Sequence, residues 1–217
     1  MKNWKTRSLI ALAASVSMIF SMAACGGSGS SSSALRPLTF GKPDGPQTNN
    51  SNPFLGTSAA SVQGYRYAIY ETLVQINYVK PTEKPIPWLA TKWQWNNDYT
   101  SVTFTIRDNV KWSDGKPLTA KDVAFTFNLV KDYPALNTGS IPFKDVSSSG
   151  NTVTITFDEN QYVHMSSIYQ QFIVPEHIWK TVGDPSKYLD KQPVGTGPYV
   201  LKTWSTQGVT LDSNPTY

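Results

Sequence analysis

Between residues 92 and 112 the chain alternates apolar and polar side chains in three short runs. They are Trp93 and Trp95, then Val102, Phe104 and Ile106, then Val110 and Trp112, separated by Asn97-Asp98 and Asp108-Asn109. A two-residue period sends successive side chains to opposite faces, so these runs read as antiparallel strands with one face buried. A half-buried sheet needs a cover, and the next residues supply one. Asp114-Gly115 turns the chain, and Thr119 with Asp122 three residues later is a capping pair. It opens a helix running to about Lys131, with Val123, Phe127 and Val130 on its inner face. Residues 146–157 read as a further hairpin around Gly150-Asn151, because Val153, Ile155 and Phe157 alternate with threonines.

Elsewhere the signals are shorter. Residues 35–41 read as a strand, and 42–53 as a loop dense in turn formers. Residues 59–73 carry Val62, Tyr65, Ile69 and Leu73 at near-helical spacing, which predicts one amphipathic helix, followed by a strand over 74–79. Pro81, Pro85 and Pro87 then interrupt the chain. Short helices are expected over 162–172 and 176–181, and strands over 194–202 and 208–212. Strands and helices without regular alternation define a mixed α/β (α+β) class. At strand alternation, Trp93, Trp95 and Trp112 are expected in the core.

The N-terminus is of a different kind. Lys2, Lys5 and Arg7 precede an apolar stretch over 9–20, and small residues lead to Cys25. That is the pattern of a secretory leader, too short to span a bilayer as a folded helix. Cys25 is the one cysteine in the chain and is followed by a Gly/Ser tract over 26–33 that cannot bury a thiol. The segment resembles the lipobox of bacterial lipoproteins, which implies a signal peptide over 1–24, a lipidated Cys25, and a flexible tether over 25–34. A single cysteine allows no internal disulfide, so an exported domain must rely on its core, for which all but Trp4 and Phe20 of the chain's seven Trp, eleven Tyr and nine Phe are available. Beyond the leader, sixteen basic residues face fifteen acidic ones, which argues against nucleic-acid binding.

Catalytic chemistry finds little support. His164 and His177 share no metal-ligand spacing, and no serine sits in a nucleophile elbow. Asp158 and Glu159 read as solvated charge at a strand end. Gly195-Thr196-Gly197-Pro198 hints at a phosphate loop, but Pro198 removes a donor amide and no Lys-Ser/Thr follows. Gly195 and Gly197 are instead expected to serve backbone shape, through positive φ or close approach.

Three segments together resemble the family 5 solute-binding proteins of ABC importers. They are Tyr70-Glu71-Thr72-Leu73 with Trp88-Leu89-Ala90-Thr91-Lys92-Trp93, the stretch from Val102 to Val123, and Val194-Gly195-Thr196-Gly197-Pro198-Tyr199 continuing to Asn214-Pro215-Thr216-Tyr217. The resemblance implies a periplasmic-binding-protein type II-like fold. Its first lobe is built from 35–71 and 173–217 around an inserted subdomain over 72–172, and the sequence stops before a second lobe. It implies ligand contact at Leu55, Gly56, Thr57 and Ser58 after Asn52-Pro53, with Asp114-Gly115 and Thr119 acting as turn and cap. It further implies a monomer without cofactor or enzymatic activity, held on the extracytoplasmic face of the membrane. Such a protein captures peptides, or alternatively oligosaccharides or a metal chelate, for an ABC permease. A sensor or adhesion lipoprotein of the same fold is the rival reading.

Overall fold

In the computed structural model, residues 45–80 and 82–217 are described, together with Thr39 and Gly41. Apart from Thr39 and Gly41, the expected strand over 35–41 lies outside the described residues, as do the leader and Cys25. The elements run α1 (Ala59–Val62), α2 (Arg66–Ile69), β1 (Val74–Gln75), β2 (Ile86–Pro87), β3 (Ala90–Trp95) and β4 (Ser101–Ile106). Then come α3 (Ala120–Asp132), β5 (Phe143–Ser149), β6 (Thr152–Phe157), a 3-10 turn (Tyr162–His164) and α4 (Met165–Tyr169). The last are α5 (Glu176–Trp179), β7 (Tyr199–Ser205) and β8 (Gly208–Ser213).

The alternating residues form a four-stranded antiparallel sheet of order β3-β4-β6-β5. Val102 pairs with Ile155 and Phe104 with Val153, which aligns the apolar sets of β4 and β6 on one face. Helix α3 packs on β5 and β6 and buries Val123 and Phe127 against the sheet, while Val130, expected on the same face, is buried in a separate cluster with Ile69 and Trp179. Its start is fixed as the sequence indicates, since the Thr119 backbone N–H and Oγ1 both donate to Asp122 Oδ2 at 2.8 and 2.9 Å. Asp122 Oδ1 also accepts from the Glu176 N–H at 3.1 Å, so one buried carboxylate joins the starts of α3 and α5. Burying a side chain such as Phe104, which is fully inaccessible, stabilises the fold by about 2–3 kcal/mol. Trp112 is fully buried, while Trp93 and Trp95 are half-buried and pack against the same core.

Three expectations fail locally. The single helix over 59–73 is two short helices, because Gly64 takes φ +82°, a left-handed conformation that ends α1 before α2 begins. The strand over 74–79 shrinks to Val74–Gln75, since Asn77 Oδ1 accepts from the N–H groups of Val79 and Lys80 and turns the chain. Val110 to Trp112 is not a strand, because the Trp112 N–H donates to the Lys116 carbonyl in a turn over Asp114, leaving only a bridge between Lys111 and Pro117. The final pair appears as β7 and β8, with β7 beginning at Tyr199 rather than 194.

The core has two apolar clusters. One, from Leu73 to Ile173, lies beneath the four-stranded sheet. The other gathers Phe54, Tyr65, Ile69 and Tyr70 with Leu129, Val130 and Leu136 of α3 and its following turn, and with Phe172, Val174 and Trp179.

Candidate functional site

The second cluster forms the floor of a groove of about 970 Å3. Its walls come from Pro53 and Phe54, from Arg66, Tyr67, Tyr70 and Glu71, from Gln75, Ile76 and Tyr78, and from the turns around 136–141 and 167–172. Trp88, Pro198 and Tyr217 complete the lining. Aromatic rings and amide side chains dominate the lining, and Arg66 and Glu71 are its two charged residues.

Arg66, at the start of α2, is held by neutral partners. Its NH1 donates to Ser61 Oγ at 2.9 Å and to the Pro53 carbonyl at 3.3 Å, and its NH2 to Tyr67 Oη at 3.2 Å. The guanidinium carbon lies 5.0 Å from the Tyr67 ring centre and 5.1 Å from that of Phe172, an arrangement that a cation and two aromatic faces favour. Arg66 thereby pins the loop of residues 53–61 to the groove rim. Tyr67 and Tyr78 are about two-thirds exposed, and Tyr78 Oη donates to Gln170 Oε1 at 2.5 Å across the groove.

Glu71 is nearly buried and its Oε1 accepts from Trp88 Nε1 at 2.8 Å. Burial raises its pKa, opposed by the hydrogen bond from Trp88 and by the positive charge of Arg107. With Trp88 and Tyr217 it also lines a second hollow of about 400 Å3 that reaches Arg107 and Lys111.

The loop before the groove is anchored by its own polar residues. Ser51 N–H donates to the Leu189 carbonyl at 2.7 Å. Asn52 Nδ2 donates to the carbonyls of Pro185 and Tyr188 at 2.9 and 2.8 Å, while its Oδ1 accepts from the Phe54 N–H at 3.0 Å. Of the four residues expected to touch ligand, Gly56 and Thr57 are exposed and Leu55 is half-buried against the second cluster. Ser58 is buried and caps α1, its Oγ accepting from the Ser61 N–H at 3.2 Å. The loop residues that face the groove are Pro53 and Phe54. Arg66, Tyr67, Tyr78 and Phe172 were not singled out as site residues from the sequence. They come from three separated segments, and only the surface position of Tyr67 on its helix would have hinted at them.

Gly195 and Gly197 do not take positive φ. Close approach is their reason: the Gly197 N–H donates to the Ile69 carbonyl at 2.8 Å, and a Cβ there would stand 2.5 Å from the Ala68 carbonyl oxygen. A Cβ on Gly195 would overlap the Ile69 carbonyl oxygen. The two glycines let the 195–197 loop lie against the end of α2, directly behind the groove.

The histidines serve structure. His164 Nδ1 bonds Gln161 Oε1 at 2.6 Å, and His177 Nε2 meets Asp114 Oδ2 at 2.8 Å. Asp158 pairs on the surface with Lys144 at 2.8 Å. Among the described residues no cluster of three or more His, Cys, Asp or Glu is placed to hold a metal ion, and no helix is long and apolar enough to cross a membrane. What this surface offers chemically is a lining of rings, amides and one guanidinium, groups that make reversible contacts.

Residues 84–217 match the bacterial extracellular solute-binding proteins, family 5 Middle, and the chain belongs to this family. It is 35% identical over 146 residues to the probable peptide-binding protein YejA of Agrobacterium fabrum, covering 61% of this chain and 23% of that protein. It is 27% identical to the oligopeptide-binding protein OppA of Bacillus subtilis, across 100% of this chain and 43% of OppA. The chain therefore spans less than half the length of either relative. Among solved structures, the oligopeptide-binding protein AppA from Bacillus subtilis in complex with a nonapeptide superimposes with a TM-score of 0.66 at 26% identity, over 80% of this chain and 35% of AppA. The mannohexaose-bound periplasmic oligopeptide-binding protein of Thermotoga maritima gives the same TM-score and identity over 78% of this chain and 32% of its own. The mixed α/β architecture is that of these periplasmic binding proteins.

Proposed function

We propose that this protein is a lipid-anchored, extracytoplasmic solute receptor that captures peptides and delivers them to an ABC permease, doing no covalent chemistry itself. The observation that carries the reading is the groove, whose rings, amides and single guanidinium suit an extended backbone with varied side chains. Kinship with proteins named for peptide binding supports it. In this reading, residues 35–71 and 173–217 form one lobe around an inserted subdomain over 72–172, a division that the confinement of the main core cluster to Leu73–Ile173 supports. Residues 55–58 then reach ligand through their backbone. Solute capture follows from closure of two lobes, a hinge motion driven by higher affinity in the closed form. Cys25 carries the anchor.

Oligosaccharide is the second reading. The exposed rings of Tyr67 and Tyr78 can stack on sugars, and one structural neighbour holds mannohexaose. Calorimetry of the full-length gene product against short peptides and against cello- and manno-oligosaccharides separates the two. Saturable peptide binding is expected, and binding of sugars alone would transfer the assignment. Cys25→Ser should release the protein from the membrane fraction, and retention of that variant would remove the anchor from the reading.

A further inference from the structure

Behind the groove lies a buried polar cluster that solute capture does not use. Asp190 is 2% exposed, sits at φ +45°, and accepts a short hydrogen bond on Oδ2 from Tyr70 Oη. The Tyr188 hydroxyl, on the same loop, lies near enough to favour the charged carboxyl. Tyr65, just before α2, faces it and shares a 2.9 Å hydrogen bond with Ser51 Oγ. The neighbouring 51–54 segment brings Ser51 and Asn52 and no charge. The flanking lysines are engaged elsewhere, Lys187 pairing with Asp184 at 3.1 Å and Lys191 standing exposed. Among the described residues no ion pair reaches Asp190. A carboxylate in this setting is stripped of water and compensated only by hydroxyls, so its charged form is disfavoured.

The cluster is also a mechanical junction. Asp190 closes the 185–190 loop, whose carbonyls at 185, 188 and 189 hold Ser51 and Asn52. Pro53 and Phe54 follow directly and, with Tyr70, line the groove. Anything that strains Asp190 is therefore transmitted to one groove wall. We propose that Asp190 is a proton-operated clamp. When protonated it lets the 185–190 loop stay packed against Tyr70 and residues 51–54; when ionised, its buried charge without a counter-ion favours opening of that loop to water, which outweighs the stronger Tyr70 bond and frees the groove wall attached to it.

The titration range fits the geometry. Burial raises the Asp190 carboxyl from 3.8 to about 6, against the opposing influence of the Tyr70 and Tyr188 hydroxyls. The tyrosines remain protonated throughout, with Tyr188 pushed up to about 12 and Tyr70 raised well above its ordinary value, in each case chiefly by burial. The folded state thus holds the proton more tightly than the unfolded chain does. The stabilisation is complete below pH 3.8 and is lost as pH rises through about 6.

Hydrogen exchange read by mass spectrometry at about pH 5 and about pH 7.5, corrected for intrinsic rates, tests the clamp across that window. Opening of segments 50–54 and 185–190 should increase about tenfold at the higher pH in the native protein. Asp190→Asn should abolish that increase, since Asn tolerates the left-handed backbone and keeps an acceptor for Tyr70. Tyr70→Phe removes a donor that favours the charged form and should move the midpoint upward. Equal opening of the native protein at both pH values overturns the proposal, as does a persistent increase in Asp190→Asn, which would assign the effect to another group such as Glu71. If Asp190→Asn does not fold, carboxyl-carbon NMR of the native protein decides: a midpoint near 6 supports the clamp and one near 4 overturns it.

Discussion

The sheet with α3 and the groove-bearing region around α1, α2 and the 185–197 loop are held together by different means. In the sheet, order comes from apolar side chains that repeat along the strands and helix and meet in one cluster. In the groove region, no element except β7, β8 and the five-residue α4 exceeds four residues, and segments more than a hundred positions apart are joined by individual polar atoms and by backbone packed on backbone. The first kind of stability is spread over many side chains, and the second is concentrated in a few. A region of the second kind suits a binding surface, because small displacements of one tie move a whole wall.

Substitutions can break this contrast. Phe104→Ala, in the centre of β4, should cost about 4 kcal/mol in urea denaturation, from lost burial and the cavity left behind. It should leave the groove side otherwise organised, with Tyr67 and Tyr78 environments unchanged at denaturant concentrations where the fold persists. Gly197→Val should cost about 3 kcal/mol or more, although it adds atoms rather than removing them, because the Ala68 and Ile69 carbonyls occupy the space a side chain needs. A loss below about 1 kcal/mol would show that the 195–197 loop moves freely away from α2, and the contrast between the regions would fail. Asn52→Ala removes three hydrogen bonds at once and should cost about 2 kcal/mol, with faster hydrogen exchange confined to the 51–58 and 185–190 segments. Uniformly faster exchange would mean that the two regions unfold as one unit.

The clamp sharpens the same contrast along a pH axis. The groove region carries two carboxyls that burial shifts upward, Asp190, to about 6, and, at its edge, Glu71. The exposed acids Asp114 and Asp184 are held below their usual range, Asp184 chiefly by Ser186 and Asp114 by bonds from Lys116 and His177 that outweigh its desolvation. Their contribution is lost only as pH falls below the ordinary carboxylate range, which separates it from the window of Asp190.

Much of this molecule is decided by period and spacing. The alternation from Trp93 to Ile106 and from Val153 to Phe157, the Thr119–Asp122 cap and the inner face of α3 each follow from neighbouring residues, because a strand or helix imposes its repeat on whatever it buries. Family membership was visible in the same stretches. The leader and Cys25 are likewise a local pattern, and they remain a matter of sequence. What tertiary structure alone decided was the groove. Arg66, Tyr67, Tyr78 and Phe172 meet through chain segments with no common period, and Ser58 turned to capping a helix that local spacing had joined to the next one. The roles of Gly197 and Asp190 were equally hidden. A glycine needed for close approach, or an aspartate made unusual by burial, looks locally like any other, since both properties belong to the atoms brought against it by distant parts of the chain.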